Sequence, residues 1–172
     1  MSTARHPATL PEIEAAVWRE LAAAAVGTHP WRHAVLATVE GEHADARLVV
    51  LREVDARSRQ IAARPSGTLV MWSDHQGWQL RCRVEMRADT GGLAATSRWT
   101  HIRLTRAARD YVALHAPGTR IDAPAGAAAA TAGREHFAVV HARVRALDWL
   151  EINAGVQRRA IFDDEGPRWV QP

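Results

Sequence analysis

Arginine is the residue whose number and placement carry the most chemistry in this sequence. All 22 basic residues are arginine, and with 19 acids they leave a net charge of +3. Guanidinium forks match phosphate and carboxylate oxygens in bidentate geometry, so this usage favours an anion-binding site. Two arginines bracket an apolar run, Arg47-Leu48-Val49-Val50-Leu51-Arg52. Five positions apart on an extended strand, they fall on opposite faces. They read either as solvated strand ends or as parts of a site. Arg57-Ser58 adds a second guanidinium beside a hydroxyl, and Arg103 stands alone further along. Excess positive charge also suits nucleic acid. Here, however, arginines alternate with acids, and no zinc-finger or RNA-binding signature occurs, so no nucleic-acid partner is expected.

Other chemistries are weakly supported. The nine histidines are dispersed without an HxH or HExxH pair, so no metal site is expected. The glycines form neither a hydrolase elbow nor a nucleotide loop. The one cysteine, Cys82, sits in an alternating apolar pattern and reads as a buried strand thiol rather than a nucleophile. No run approaches the roughly 20 apolar residues of a membrane span. Residues 1–10 have no apolar signal core, so a cytoplasmic protein without membrane contact is expected.

Few elements are needed to position these residues. Thr9-Leu10-Pro11-Glu12 reads as a capping box, and Leu10, Ile13, Val17 and Leu21 follow at helical spacing up to Gly27. This predicts a helix over 9–26. Ala34–Val39 and Arg47–Arg52, joined through the turn Glu40-Gly41-Glu42, predict a β-hairpin. Thr68–Trp72 is a further strand. Trp78, Leu80, Cys82, Val84 and Met86 alternate with Gln79, Arg81, Arg83, Glu85 and Arg87, which predicts a strand with one apolar and one polar face. Leu93–Trp99 and Thr105–Leu114 predict two short helices in an insert over 92–115. Ala116–Gly133, rich in Ala, Pro and Gly, reads as a long surface loop, and Phe137–Ala146 and Arg159–Phe162 as strands. Short loops between strands argue for an antiparallel β-barrel with helices at its edge in one domain of 172 residues.

Several of these segments, in this order, resemble the pyridoxamine 5'-phosphate oxidase family from Pro30 onward. The residues are Arg47-Leu48-Val49-Val50-Leu51-Arg52; Asp55-Ala56-Arg57-Ser58-Arg59-Gln60; Gln79-Leu80-Arg81; and Trp149 followed ten residues later by Arg159. The chain ends on Trp169-Val170-Gln171-Pro172, which is similar to that family's tail. The resemblance implies an α+β fold, an antiparallel six-stranded split β-barrel with flanking helices. It implies FMN as cofactor, bound at the interface of a homodimer. Arg47, Arg57 and Ser58 would meet the flavin phosphate. Leu48, Val49, Val50 and Leu51 would run along the ring system, Gln79 would face its pyrimidine edge, and Trp149 and Arg159 would come from the partner subunit. Arg52 and Arg103 would stand near a small-molecule substrate.

The sequence also departs from that pattern. The stretch between Arg52 and Thr68 is shorter by roughly a dozen residues, and Gln60 replaces a lysine. Gly155 and Gln157 stand where the family's vitamin oxidases carry Arg-x-His, and of a helical Tyr, Arg and Ser set (here Trp99, Arg103 and Ala107) only the arginine is kept. The leading expectation is an FMN-dependent oxidoreductase transferring hydride from a small substrate to flavin N5. A flavin-binding carrier or sensor without turnover is the first alternative. A basic β-barrel stacking its tryptophans on nucleic-acid bases is the second.

Overall fold

The first helix, α1 (Leu10–Val26), turns Ile13, Ala16, Val17, Leu21, Ala24 and Ala25 to one buried side. That stripe is what its 3.6-residue period dictates. At its start Glu12 Oε2 accepts from the backbone N–H of Ala8 (2.9 Å) and Thr9 (3.1 Å), which satisfies donors the helix leaves unpaired. At its end the Arg32 guanidinium donates to the carbonyls of Ala24, Ala25 and Gly27 at 3.2–3.4 Å. The computed structural model describes residues 7–40, 42–54, 66–105, 108, 119–122, 137–153 and 155–172. Within them α1 is followed by a 3₁₀ turn at Pro30–Arg32 and by β1 (His33–Glu40), β2 (His43–Val50), β3 (Ser66–Ser73) and β4 (Trp78–Asp89). Then come α2 (Gly92–Ile102), β5 (Val139–Asn153), β6 (Val156–Phe162) and β7 (Arg168–Val170).

Among the described residues the strands form one open sheet in the order β2-β1-β3-β4-β5-β6-β7. The ladders β1–β2, β1–β3, β3–β4, β5–β6 and β6–β7 are antiparallel. The hairpin expected at Glu40-Gly41-Glu42 forms with Glu40 opposite His43, so β2 begins four residues before Arg47 and ends before Leu51. The backbone of Leu51 still donates to the Arg32 carbonyl at 2.9 Å. The β4 alternation is realised in full: Trp78, Leu80, Cys82, Val84 and Met86 are all buried. β5 is longer than Phe137–Ala146 suggested, and β7 is an additional strand paired to β6.

The chain divides into two compact units, residues 1–86 with 142–172, and residues 87–141. In the first, α1 packs with Trp31, Leu36, Leu69, Met71, the apolar side of β4, Leu147, Trp149, Ala160 and Phe162 as one core. Trp78 stands edge-on to Trp149 at 5.4 Å. Glu151, buried in that core, accepts from Trp78 Nε1 (3.2 Å), Asn153 Nδ2 (3.0 Å) and Arg158 Nε (2.7 Å), so its charge is compensated. Arg158 also reaches the Pro7 carbonyl, tying the start of the chain to β6. Gly77 has φ 64°, and a Cβ there would lie 2.4 Å from the Ile152 carbonyl oxygen, so the turn before β4 requires glycine. In the second unit α2 buries Ala95 and sets Trp99 against Phe137 at 5.3 Å. The expected helix at Thr105–Leu114 and loop at Ala116–Gly133 lie almost wholly outside the described residues.

Candidate functional site

A strand alternates its side chains, and directly paired residues share a face. One face of the sheet carries the core. On the other, Leu48, Val35, Val70 and Arg81 form one cross-strand row through β2, β1, β3 and β4. Leu48 is 68% exposed, Val35 39% and Trp72 45%. Val50 and the Trp72–Gln79 pair extend the same face. This outer face therefore presents a partly exposed apolar band, ending in the guanidinium groups of Arg81 on β4 and Arg159 on β6.

Those groups converge on one carboxylate. Arg159 on β6 donates through Nε to Asp148 Oδ1 (2.9 Å) and through Nη2 to Oδ2 (2.8 Å). Arg81 on β4 donates to the same Oδ2 at 2.5 Å. Burial alone would raise the Asp148 pKa. The hydrogen bond from Arg159 and the charges of Arg81 and Arg159 outweigh it and hold the carboxyl below the usual range. Donating that hydrogen bond to Asp148 in turn raises Arg159 above its ordinary value. Two cations sharing one anion leave one positive charge beside the apolar band.

The expected site residues divide between the two faces. Leu48, Val50, Gln79 and Arg159 lie on the outer face. Val49 and Leu51 pack toward the core. Arg47 pairs with Leu36, so it leaves β2 on the core side but beyond the core's edge, where Asp45 and Thr38 Oγ1 (2.8 Å) hold its exposed guanidinium. Arg52 is partly buried just past β2. Arg103 is exposed at the end of α2, in the second unit. Arg57 and Ser58 lie outside the described residues.

Trp149 lies apart from these residues. The hairpin register sets Trp149 opposite Ala160 and Leu150 opposite Arg159, so Trp149 and Arg159 emerge on opposite faces. Trp149 is fully buried between Trp78 and Arg158 and serves the core of its own chain. Sequence reasoning also missed Asp148 and Arg81. The alternation of β4 did mark Arg81 as outward-facing, but nothing local shows that Asp148, 67 residues away, meets it. Among the described residues no group of three His, Cys, Asp or Glu is placed to hold a metal ion. No described helix is long and apolar enough to cross a membrane.

No family model matches the sequence, and no curated protein matches it. Solved structures do match. A pyridoxamine 5'-phosphate oxidase-related, FMN binding protein from Nostoc punctiforme PCC 73102 superposes with a TM-score of 0.64 over 100% of both chains, at 16% identity. This chain has the fold of that protein. PhzG from Burkholderia lata 383, solved in complex with tetrahydrophenazine-1-carboxylic acid, gives a TM-score of 0.63 at 13% identity, covering 97% of this chain and 95% of its own. The open antiparallel sheet is thus a split barrel, as the segment order implied.

Proposed function

We propose that this chain is an FMN-binding flavoprotein, an oxidoreductase acting on a small substrate, with its cofactor on the outer face of the split barrel between two copies of the chain. The observation that carries the reading is the exposed apolar band of Leu48, Val35 and Val70 running into the Arg81–Asp148–Arg159 cluster. A flat aromatic ring system with a polar edge and an anionic tail needs an apolar floor, amide-type partners and guanidinium groups. The residues present fit such a group. The band supplies the floor. Gln79 on the same face can donate and accept at a ring edge. β2 is the last strand of the described sheet, so the N–H and C=O groups not bonded to β1 face outward along Arg47–Val50. The FMN-binding neighbour of the same fold supports the assignment.

When bound, FMN would supply the redox chemistry, as an acceptor of hydride from the substrate. The chain's own residues bind and orient it. Gln79 would meet the polar ring edge, Arg57 and Ser58 would hold the phosphate, and Arg159 would come from the second copy; Arg47 leaves β2 on the other face, beside Asp45 and Thr38. Arg52, partly buried just past β2, would stand near the substrate. A buried single thiol is in keeping with a reducing cytoplasm. The test is the visible spectrum of the purified protein, followed by release and mass identification of its chromophore. Flavin bands and an FMN mass are expected. A colourless protein that takes up no added FMN rejects the reading. Gly155 and Gln157, in place of Arg-x-His, favour a carrier without turnover as the second reading; reduction of the bound flavin by pyridoxamine phosphate would exclude it.

A further inference from the structure

We propose that Asp148 joins Arg81 and Arg159 into one preorganised seat for an oxyanion, phosphate or carboxylate, and that Asp148 is the positioning residue of that seat. The inference deepens the flavin reading: the oxyanion is either the phosphate of the cofactor or the anionic group of the substrate. Three observations carry it. First, the carboxylate takes Nε and Nη2 of Arg159 and Nη2 of Arg81, so the Arg159 fork is fixed and Arg81 is anchored at one nitrogen, while Nη1 of each has no partner among the described residues. Second, the carboxylate is the more shielded partner: its side chain is 17% exposed, against 38% for Arg81 and 27% for Arg159. The guanidinium groups therefore offer their free N–H donors to the outer face. Third, the cluster carries one uncompensated positive charge and borders the apolar band. Long arginine side chains lose rotamer freedom when they bind an anion, and a carboxylate that has already fixed them removes that cost.

The sign of one substitution separates this role from a merely electrostatic one. Removing a negative charge beside two arginines strengthens anion binding if Asp148 acts only through its charge. It weakens binding if Asp148 acts by holding the forks. The experiment follows the arginine Nε–H resonances of the full-length ¹⁵N-labelled protein during titration with inorganic phosphate. Saturable shifts of Arg81 and Arg159 are expected in the wild type. In Asp148→Asn those resonances should lose their hydrogen-bonded positions, and phosphate affinity should fall about tenfold or more. Asp148→Glu, which keeps the charge, should recover part of it. Unchanged or tighter phosphate binding in Asp148→Asn overturns the proposal, as does a wild type whose two arginines ignore phosphate. Should Asp148→Asn fail to fold, Arg159→Lys serves instead: it retains charge but loses the fork, and undiminished phosphate binding then counts against the seat.

Parallel titration with FMN and riboflavin identifies the oxyanion's source. A loss in Asp148→Asn confined to FMN assigns the seat to the cofactor phosphate, and equal flavin affinities assign it to the substrate. A wild type that takes no flavin yet shows the phosphate response fails the flavin reading and keeps the seat. A wild type that, stripped of flavin, shows no such response and yet takes FMN back does the reverse.

Discussion

Single residues in this chain owe their chemistry to burial and partners rather than to type. Cys82 is 1% exposed, and burial pushes its thiol up to about 12. It should stay unreactive toward a disulfide reagent at mildly alkaline pH and react only on unfolding; prompt reaction of the native protein would contradict its placement. Trp149 lies in the core with no hydrogen-bond partner for Nε1 among the described residues. Trp149→Phe removes that unpaired donor along with some volume, so it should cost about 1 kcal/mol or less in urea unfolding and leave FMN uptake intact. Glu151 is the opposite case. Glu151→Ala leaves Arg158 and the Trp78 N–H without their carboxylate and should cost about 3–5 kcal/mol in the same assay.

At the scale of elements, ends and turns are held by charge. Arg32 closes the C-terminus of α1, where a cation and a donor are both favoured, and Arg32→Ala should lower stability by about 1 kcal/mol. The β6–β7 turn rests on Asp163, which takes both Nη groups of Arg168 at 2.6 and 2.8 Å and lies 3.5 Å from Arg83. The Arg168 hydrogen bond foremost, then the Glu165 backbone N–H and the charges of Arg168 and Arg83, hold this carboxyl below its ordinary value against the opposing effect of burial. Asp148 is shifted the same way. A depressed folded value means the stabilisation is present above the unfolded carboxylate value of about 3.9 and is lost as pH falls through the folded one. Thermal stability should hold down to about pH 4 and decline below it, and Asp163→Asn should flatten that acid limb.

At the scale of the whole molecule, the outer face exposes Leu48, Val35 and Trp72 on one sheet. A second copy would cover this apolar surface and bring its own Arg159 to the site. Leu48→Arg places a charge on the edge strand of that face without touching the core. Light scattering should give a dimer for the wild type and a monomer for the variant, with FMN retention lost alongside. A variant that remains dimeric with unchanged flavin content would put the subunit contact elsewhere.

Periodicity determined much from the sequence alone. The helix from Leu10 follows from its cap and its apolar stripe, and β4 follows from strict alternation, because local geometry sets both periods. The Glu40–His43 turn was legible as well, and with it the strand that carries Arg47–Val50. The segment order pointed to the split barrel, which the solved neighbours share. Two things were not legible. The face on which a residue emerges depends on hairpin register, and that sends Trp149 to the core and Arg159 outward although both stand in one short motif. The meeting of Arg81, Asp148 and Arg159 depends on contacts across three strands. Only tertiary structure decides such contacts, because cross-strand neighbours far apart in sequence leave no periodic trace along the chain.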